Sequence, residues 1–269
     1  MPTQELNKTV ESVHEYWNAH TLGKQYVRDP NIEVGTKEYF DHIRPWMNPW
    51  KFPEIMPRID KVAQQLKGKH LLEIGCGMGF DGSEFMKRGV KVTVTDLTPA
   101  AIEMAKKHHA IIGVEPEAAQ TENVLNLSFP DNTFDAVWAC GVLHVTGDTE
   151  KAISEVRRVL KPGGLAVVSH LYRRPSWMYF ISKLGKENIE FKELDPPVND
   201  FMTEDEYLAM FKGFKVEEAV QDHYRALPVC RSGVKAFLYT YVFKPVYNLL
   251  PEPLAKKWAY KLSVTATKV

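Results

Sequence analysis

The stretch LLEIGCGMGFD, at positions 71–81, decides how the rest of the chain is interpreted. It is a short apolar run that ends in a glycine-rich turn, after which a helix begins. Gly75, Gly77 and Gly79 allow a tight turn and leave room for a ligand where a Cβ atom would collide. A strand, a glycine turn and a helix N-terminus together predict a pocket for a nucleotide-type cofactor.

The spacing of this turn differs from the dinucleotide-binding fingerprint. That fingerprint is G-x-G-x-x-G, whereas this chain has G-x-G-x-G with Glu73 two residues before Gly75. A carboxylate there repels a pyrophosphate, but it can help to hold an ammonium group, directly or through water. The structural alternative is a glycine-rich turn that binds nothing.

Composition excludes several classes of protein. Lys plus Arg and Asp plus Glu both total 34 in 269 residues, so no basic excess points to a nucleic-acid partner. The N-terminus is polar, and no apolar run reaches the length of a membrane span. The three cysteines, Cys76, Cys140 and Cys230, show no C-x-x-C spacing, which argues against a structural zinc. We therefore expect a cytoplasmic protein without a metal site and without stable membrane insertion.

Strand and helix patterns alternate through the centre of the chain. Strands are predicted at 70–74, 90–95, 118–122, 134–139, 165–170, 215–224 and 259–267. Helices are predicted at 5–17, 53–66, 79–88, 99–109, 149–160 and 204–212, with one or two more within 229–257. This alternation implies an α/β fold, with a mostly parallel sheet and helices on both faces.

Four regions are expected within one overall domain. Residues 1–52, rich in aromatics and prolines, form an N-terminal arm or lid that is largely irregular after its first helix. Residues 53–170 form the cofactor-binding core, in which the KPGG at 161–164 is a turn before the fifth strand. Residues 171–212 form a substrate-cap insertion, and residues 213–269 form C-terminal strands with inserted helices.

Four segments, found in order over about residues 60–170, resemble class I S-adenosylmethionine (SAM)-dependent methyltransferases. They are EIGCGMG at 73–79, Asp96, the run from 122 to 135 containing ENV and LSFPDNTFD, and CGVLH at 140–144. The most similar group is the small-molecule methyltransferases, which include quinone-biosynthesis enzymes. The resemblance implies a Rossmann-like sheet of seven strands, the last antiparallel, with SAM as cofactor and S-adenosylhomocysteine (SAH) as product.

The resemblance also implies residue roles at the cofactor. The predicted cofactor-binding residues are Glu73, Gly75, Cys76, Gly77, Gly79, Asp96, Leu97, Asn123, Val124, Cys140 and Gly141. Asp96, 21 positions after Gly75, would accept hydrogen bonds from both ribose hydroxyls, because a carboxylate can take two donors at once. The alternative for Asp96 is a solvated turn residue. Asn123 stands where the family usually has aspartate, and its carbonyl oxygen would accept a hydrogen bond from the adenine amino group. The alternative for Asn123 is a loop asparagine at a strand end.

The acceptor side is less defined. His144 is a candidate general base, and the alternative is a packing or turn histidine. Tyr16, Tyr26, Trp177 and Tyr179 are candidate pocket residues, with core packing as the alternative for each. The chain lacks the N/D-P-P-Y/F signature of enzymes that methylate amino groups on bases or glutamine.

These features predict an enzyme that moves the SAM methyl group to an O, N or C atom of a small, apolar or aromatic metabolite. Methyl transfer from a sulfonium is an in-line displacement, so it needs alignment and exclusion of water more than a catalytic dyad. The alternatives are a macromolecular methyltransferase acting on protein or RNA and a non-catalytic SAM-binding protein. The apolar segment 236–250 is a candidate for a packed helix, for a homodimer contact or for peripheral contact with a membrane.

Overall fold

Seven strands form one sheet in the order β3-β2-β1-β4-β5-β7-β6. The computed structural model describes residues 3–20, 26–27, 29–180, 197–223 and 234–269. The strands are β1 (His70–Ile74), β2 (Lys91–Asp96), β3 (Ala118–Thr121), β4 (Phe134–Cys140), β5 (Leu160–Tyr172), β6 (Phe214–Asp222) and β7 (Lys261–Lys268). Strand β7 runs antiparallel to both of its neighbours, and the strands from β3 to β5 pair in parallel. The predicted Rossmann-like, seven-stranded, mostly parallel sheet is confirmed.

Helices cover both faces of this sheet. They are α1 (Thr3–Ala19), α2 (Lys37–Ile43), α3 (Asn48–Lys51), α4 (Ile55–Leu66), α5 (Phe80–Lys87), α6 (Pro99–Ile112), α7 (Thr149–Val159), α8 (Glu204–Met210), α9 (Val234–Leu238), α10 (Lys244–Asn248) and α11 (Glu252–Lys257). Short 3₁₀ turns at Arg44–Trp46 and Leu143–Val145 and a π-helical turn at Tyr239–Phe243 complete the described helical segments.

Two helix starts follow directly from local sequence. The Thr98 side chain accepts a hydrogen bond from the Ala101 amide, and Pro99 occupies the first turn of α6. Thr203 and Glu206 form a reciprocal capping box at the start of α8. Both starts were predicted from the sequence, and the structure confirms them.

The sheet is buried on both faces, as a central parallel sheet requires. One face packs against α7 through Ile153 and Val156, in a cluster that includes Val137. The opposite face packs against α4 through Ile59, in a cluster that includes Trp138. Because side chains alternate along a strand, the neighbours Val137 and Trp138 serve opposite cores.

Several predicted boundaries need correction. The arm is more ordered than expected, because Tyr39, Phe40 and Ile43 of α2 are fully buried and the Thr36 side chain caps the helix. Strand β5 begins at Leu160, which pairs with Phe134, so the predicted KPGG turn lies inside the strand at a register shift. Strand β6 ends at Asp222. Residues 181–196 of the predicted cap, residues 229–233 of the predicted C-terminal helices, Tyr224 and Cys230 lie outside the described residues.

The chain order of the strands changes direction in the sheet between β1 and β4, which pair with each other. This position is the topological switch point of the sheet. Ligands in open α/β sheets bind outside the carboxyl ends of strands at this position. Because β7 runs antiparallel, its first residue, and not its last, lies at the edge where the parallel strands end. Its first residue, Lys261, pairs with Tyr172 at the end of β5.

The C-terminal helical region carries exposed apolar side chains. Phe237, Tyr241, Val246 and Leu249 are each more than half exposed. A homodimer contact or peripheral membrane contact at this segment stays a prediction. Within the described ranges, every helix is too short or too polar to traverse a bilayer.

The glycine turn generates a stability prediction. Gly75 has φ +68°, and a Cβ atom there would lie 2.2 Å from Cγ2 of Val142. Gly113, with φ +71°, has open space at the same position and serves as a matched control. We expect Gly113→Ala to lower the free energy of unfolding by about 1–2 kcal/mol through backbone strain. Gly75→Ala should cost about 1–3 kcal/mol more through the steric clash.

Denaturant unfolding of both variants measures this difference. Adding Val142→Ala to Gly75→Ala should recover part of the loss, because the collision is with the valine methyl groups. Equal losses in the two glycine variants would contradict the predicted clash.

Candidate active site

A cavity of about 310 Å³ lies at the carboxyl edge of the parallel strands. We call the part lined by Glu73, Gly75, Asp81, Asp96 and Asn123 the cofactor side. We call the part lined by Phe52, His144, His170, Tyr172 and Lys261 the acceptor side. Residues of the N-terminal arm, including Trp17, Tyr26 and Trp46, also line the cavity, so the arm and the sheet edge enclose one space.

Backbone hydrogen bonds fix the glycine turn to the neighbouring strand. The Cys76 amide donates to the Thr95 carbonyl at 2.9 Å, and the Gly77 amide donates to Asp96 Oδ2 at 3.0 Å. The Thr98 amide donates to Asp96 Oδ1 at 3.0 Å. The Thr98 hydroxyl also donates to Oδ1, at 3.1 Å. Asp96 is therefore held at the cavity edge by donors on both oxygens; Oδ2 keeps a lone pair for a ligand, and Oδ1 gains one when the Thr98 hydroxyl turns away.

Glu73 is buried behind the glycine turn. Its Oε1 accepts a hydrogen bond from the Gly82 amide at 3.0 Å, whereas its Oε2 has no partner among the described residues. Burial raises the pKa of the Glu73 carboxyl well above its usual range. A buried polar atom without a partner is costly, so a donor from a bound ligand would stabilise it.

A second buried acid, Asp81, lines the same side. Its Oδ2 accepts a hydrogen bond from Trp138 Nε1 at 2.9 Å, and burial raises its pKa to about 6. Burial also raises the pKa of Asp96. The buried carboxyl groups of Glu73 and Asp81 and the half-buried one of Asp96 therefore face one end of the cavity, and a cationic ligand would favour their ionised forms. These acceptor groups fit a ligand that carries an ammonium and a sulfonium, as SAM does.

The remaining predicted cofactor residues fall into two groups. Cys76, Gly77, Leu97, Asn123, Val124, Cys140 and Gly141 line the cavity together with those above. The Asn123 side-chain oxygen already accepts a hydrogen bond from the Leu125 amide at 2.9 Å, which leaves it one lone pair for a ligand. Burial raises the pKa values of the Cys76 and Cys140 thiols, so both remain protonated near neutral pH.

Gly79 has a different position. It does not line the cavity, and a Cβ atom there would lie 2.3 Å from Nε2 of His109 on α6. The His109 ring also lies 2.8 Å from the Gly79 carbonyl oxygen, so Nε2–H donates to it. Gly79 therefore allows α5 and α6 to pack closely at the start of α5.

His144 lines the acceptor side and is fully buried. Its ring packs on Tyr172 at 4.2 Å, and its Nδ1 has no hydrogen-bond partner among the described residues. Burial, followed by the charge of Lys261, lowers the pKa of His144 to about 3. The imidazole is therefore neutral at pH 7, with a polar nitrogen available to a ligand.

A cluster that the sequence did not reveal surrounds His170. Its Nδ1 lies 3.3 Å from Lys261 Nζ, and its Nε2 lies 3.6 Å from Glu54 Oε1. His223 Nδ1 lies 2.9 Å from the same Glu54 oxygen. Donor atoms of Glu54, His170 and His223 all lie within 4.8 Å of one another. These residues are far apart in the chain and match no local motif, so only the fold brings them together.

The four predicted pocket aromatics occupy different places. Tyr26 lines the cavity and stacks on Trp46 at 5.0 Å. Tyr16 does not line it, but its neighbour Trp17 does. Trp177 is buried in a separate aromatic cluster with Tyr260. Tyr179 lies near Phe201 at 5.5 Å and is also outside the cavity lining.

Comparison with known proteins identifies the central segment. The sequence profile of a family described as a methyltransferase domain matches residues 72–168. A ubiquinone biosynthesis O-methyltransferase of Alkalilimnicola ehrlichii is 35% identical over 134 residues, 48% of this chain and 53% of that protein. The ubiquinone/menaquinone biosynthesis C-methyltransferase UbiE of Zymomonas mobilis is 37% identical over 105 residues, 39% of this chain and 43% of that protein. The chain thus spans about half the length of these relatives.

A solved structure shows the same fold over nearly the whole chain. It is geranyl diphosphate C-methyltransferase from Streptomyces coelicolor, in complex with Mg²⁺, geranyl diphosphate and SAH. The alignment has a TM-score of 0.61 and 15% identity, and it covers 97% of this chain and 98% of that one. At this identity the likeness concerns the fold alone.

The Asp81–Trp138 contact generates a spectroscopic prediction. We expect tryptophan fluorescence to titrate with a midpoint near pH 6, because protonation of Asp81 changes the partner of the Trp138 indole. A bound cation should lower that midpoint, since it favours the carboxylate. Asp81→Asn should remove the transition, and Trp138→Phe provides the matched control among the six tryptophans. A transition that persists in both variants would contradict the assignment.

Proposed function

Since residues 72–168 form a class I SAM-dependent methyltransferase domain, we propose that this protein transfers the methyl group of SAM to a small apolar or aromatic metabolite. One observation carries this proposal: a single cavity joins buried carboxylates on its cofactor side to apolar and aromatic groups on its acceptor side. Both reactants could therefore meet in one enclosed space, as in-line displacement requires.

The cofactor side provides a role for each group of residues. We propose that Glu73 and Asp81 balance the positive charge of the methionine portion, and that Asp96 accepts hydrogen bonds from the ribose hydroxyls. Asn123 and Leu97 would border the adenine. When bound, SAM supplies the methyl group on a sulfonium leaving group. The protein's task is then to align the two reactants and to exclude water.

The arm residues support exclusion of water. Trp17, Tyr26 and Trp46 of the N-terminal arm line the cavity together with residues of the sheet edge. Aromatic side chains bury a large apolar area and suit an apolar acceptor. We propose that these residues, rather than Trp177 or Tyr179, form the lid of the acceptor site.

We propose that His144 forms a hydrogen bond with the acceptor and does not take its proton. Its Nδ1 atom offers a lone pair or a proton to a ligand, depending on the tautomer. Burial and the neighbouring Lys261 charge disfavour the imidazolium that a full proton transfer would produce. His144→Gln, which retains a side chain that can donate or accept a hydrogen bond, should therefore preserve more transfer activity than His144→Leu.

Asp96→Ala is expected to weaken SAH binding by about 100-fold or more. The estimate corresponds to two hydrogen bonds to a charged group, each worth about 1.5–3 kcal/mol. Calorimetry measures the affinity, with thermal unfolding as the test of folding, because Asp96 also binds the Gly77 and Thr98 amides. Asp131→Ala, a change at an exposed acid paired with Arg158, is the control. Near-normal affinity in Asp96→Ala would contradict the ribose assignment.

Incubation with methyl-labelled SAM and a panel of phenols, carboxylic acids, amines and thiols tests the proposed function. We expect label in a small-molecule product and none in added protein or RNA. The Asp96→Ala variant should give no labelled product. Tight SAM binding without transfer to any acceptor would favour the non-catalytic alternative instead.

A further inference from the structure

We propose that Lys261 is the anion-binding residue of the acceptor side, so that the methyl acceptor is an acidic oxygen of a phenol, enol or carboxylic acid. This inference rests on the proposed function, because it names the substrate class of the same cavity. It arises from the distribution of charge around the cavity and from the position of β7 in the sheet.

The acidic and basic groups lie on different sides of the cavity. Glu73, Asp81, Asp96 and Glu122 come from β1, the start of α5, the end of β2 and the residue after β3. The basic groups that the sheet contributes are Lys261, at the start of β7, and the neutral imidazoles of His144 after β4 and His170 in β5. The arm adds His20 and Lys51 to the lining. In the sheet order, the acids therefore occupy the β3-β2-β1 half and the basic groups the β4-β5-β7 half. A cationic methyl donor and an anionic acceptor match this division.

Lys261 reaches the cavity because β7 is antiparallel. Its pairing with Tyr172 places the first residue of β7 at the carboxyl end of β5. The Lys261 side chain is buried, and its ammonium lies 4.1 Å from the centre of the Phe52 ring. A second cavity-lining lysine, Lys51, lies 5.1 Å from the same ring. Phe52 thus holds two ammonium groups at one end of the cavity through cation–π contacts.

The groups around Lys261 fix its orientation and balance its charge. They are Cys140, His144 and His170 towards the cavity, and Glu54, Arg58, Asp222 and His223 behind it. Arg58 pairs with Asp222 at 3.1 Å, so each neutralises the other. Glu54 also interacts with the charge of Lys261, and the His170 ring lies between the two groups. Glu54, His170 and Phe52 are therefore positioning residues.

The same geometry argues against a metal ion between Glu54, His170 and His223. An ammonium has no acceptor, so Lys261 must donate to His170 Nδ1. The neutral ring then carries its proton on Nε2, the atom that faces Glu54, and this nitrogen has no lone pair for a metal. Like-charge repulsion from Lys261 and Arg58 adds to the cost of a divalent cation there.

The chemistry balances with the protein unchanged. The acceptor hydroxyl gives its proton to water on binding, and Lys261 stays protonated while it stabilises the oxyanion. The oxyanion then attacks the methyl carbon, so the C–O bond forms as the C–S bond breaks and its electron pair stays on sulfur. The products are a neutral ether or ester and a neutral thioether. Lys261 must lower the pKa of the acceptor without withdrawing all of its nucleophilicity.

The test uses 4-nitrophenol and 4-nitroanisole as matched probes of the 269-residue protein loaded with SAH. The phenolate absorbs in the visible range, so spectra report the ionisation state of the bound probe. We expect bound 4-nitrophenol to ionise below its solution pKa and to bind better than 4-nitroanisole. Lys261→Met should weaken phenolate binding by about 10- to 100-fold, as expected for one charge-assisted hydrogen bond. SAH and 4-nitroanisole binding should stay unchanged.

Two further variants keep the test decisive. Lys261→Arg preserves the charge and should keep the phenolate preference, even if Lys261→Met folds poorly. Lys212→Met removes an exposed lysine that pairs with Glu150 and should change nothing. Equal affinity of the wild-type protein for both probes would overturn the inference. So would a phenolate preference that disappears on chelation and returns with Zn²⁺, since a metal would then bind the anion.

The probes also separate this inference from the proposed function. If the protein binds SAH but ionises 4-nitrophenol equally well with and without Lys261, only the role of Lys261 at the acceptor side is contradicted. If the protein does not bind SAH but shows a phenolate preference that depends on Lys261, the anion site is supported and the methyl-transfer function is contradicted.

Discussion

The hydrogen bond from the Gly77 amide to Asp96 Oδ2, 3.0 Å long, ties the end of β1 to the end of β2. Together with the bond from the Cys76 amide to the Thr95 carbonyl, it holds the glycine turn at the edge of the sheet. The turn can take this path because Gly75 adopts positive φ and leaves Val142 the space a Cβ atom would fill. Everything on the cofactor side of the cavity depends on this arrangement, since it places Glu73 and Asp96 beside the same space.

Parallel pairing then extends the site across the sheet. Because parallel strands end at one edge, residues distant in the chain meet there without a shared motif. Burial at this edge raises the pKa values of Glu73, Asp81 and Asp96, and it lowers those of His144 and His170. These five groups line one cavity, a pattern typical of functional sites, although burial also shifts the pKa values of His108 and Tyr207 elsewhere in the core. The division into an acidic and a basic half follows from strand order and from the antiparallel direction of β7.

Local sequence predicted the elements whose signals are short-range. The periodic apolar residues of α4 and α7, the Thr98 and Thr203 caps and the glycine turn each depend on a few adjacent residues, and the structure contains all of them. Predictions were weaker for elements whose packing or pairing partners lie far away in the sequence. The arm helix α2 was missed because its order comes from burial of Tyr39 and Phe40 against the core. The start of β5 was misplaced because its first pair, Leu160 with Phe134, is a tertiary contact.

The site predictions were also limited, because the sequence does not show in which direction a side chain points. A pattern of aromatic residues in the arm indicates a lid, but a shift of one residue along α1 decides that Trp17 and not Tyr16 reaches the cavity. Gly79 belongs to the glycine motif, yet its neighbour His109 shows that it serves helix packing. His170 adopts positive φ at a register shift of β5, which turns its side chain in a way that no alternating pattern predicts.

The sequence by itself determined the α/β architecture, the class of cofactor pocket and the residues that surround the glycine turn, because these rest on local backbone chemistry. Only the tertiary structure decided what faces the acceptor. Lys261, His170 and Glu54 lie in strands and loops separated by up to 200 residues or so, and their meeting depends on the antiparallel insertion of β7 beside β5. Contacts of that range depend on strand order, which no single segment of the chain encodes.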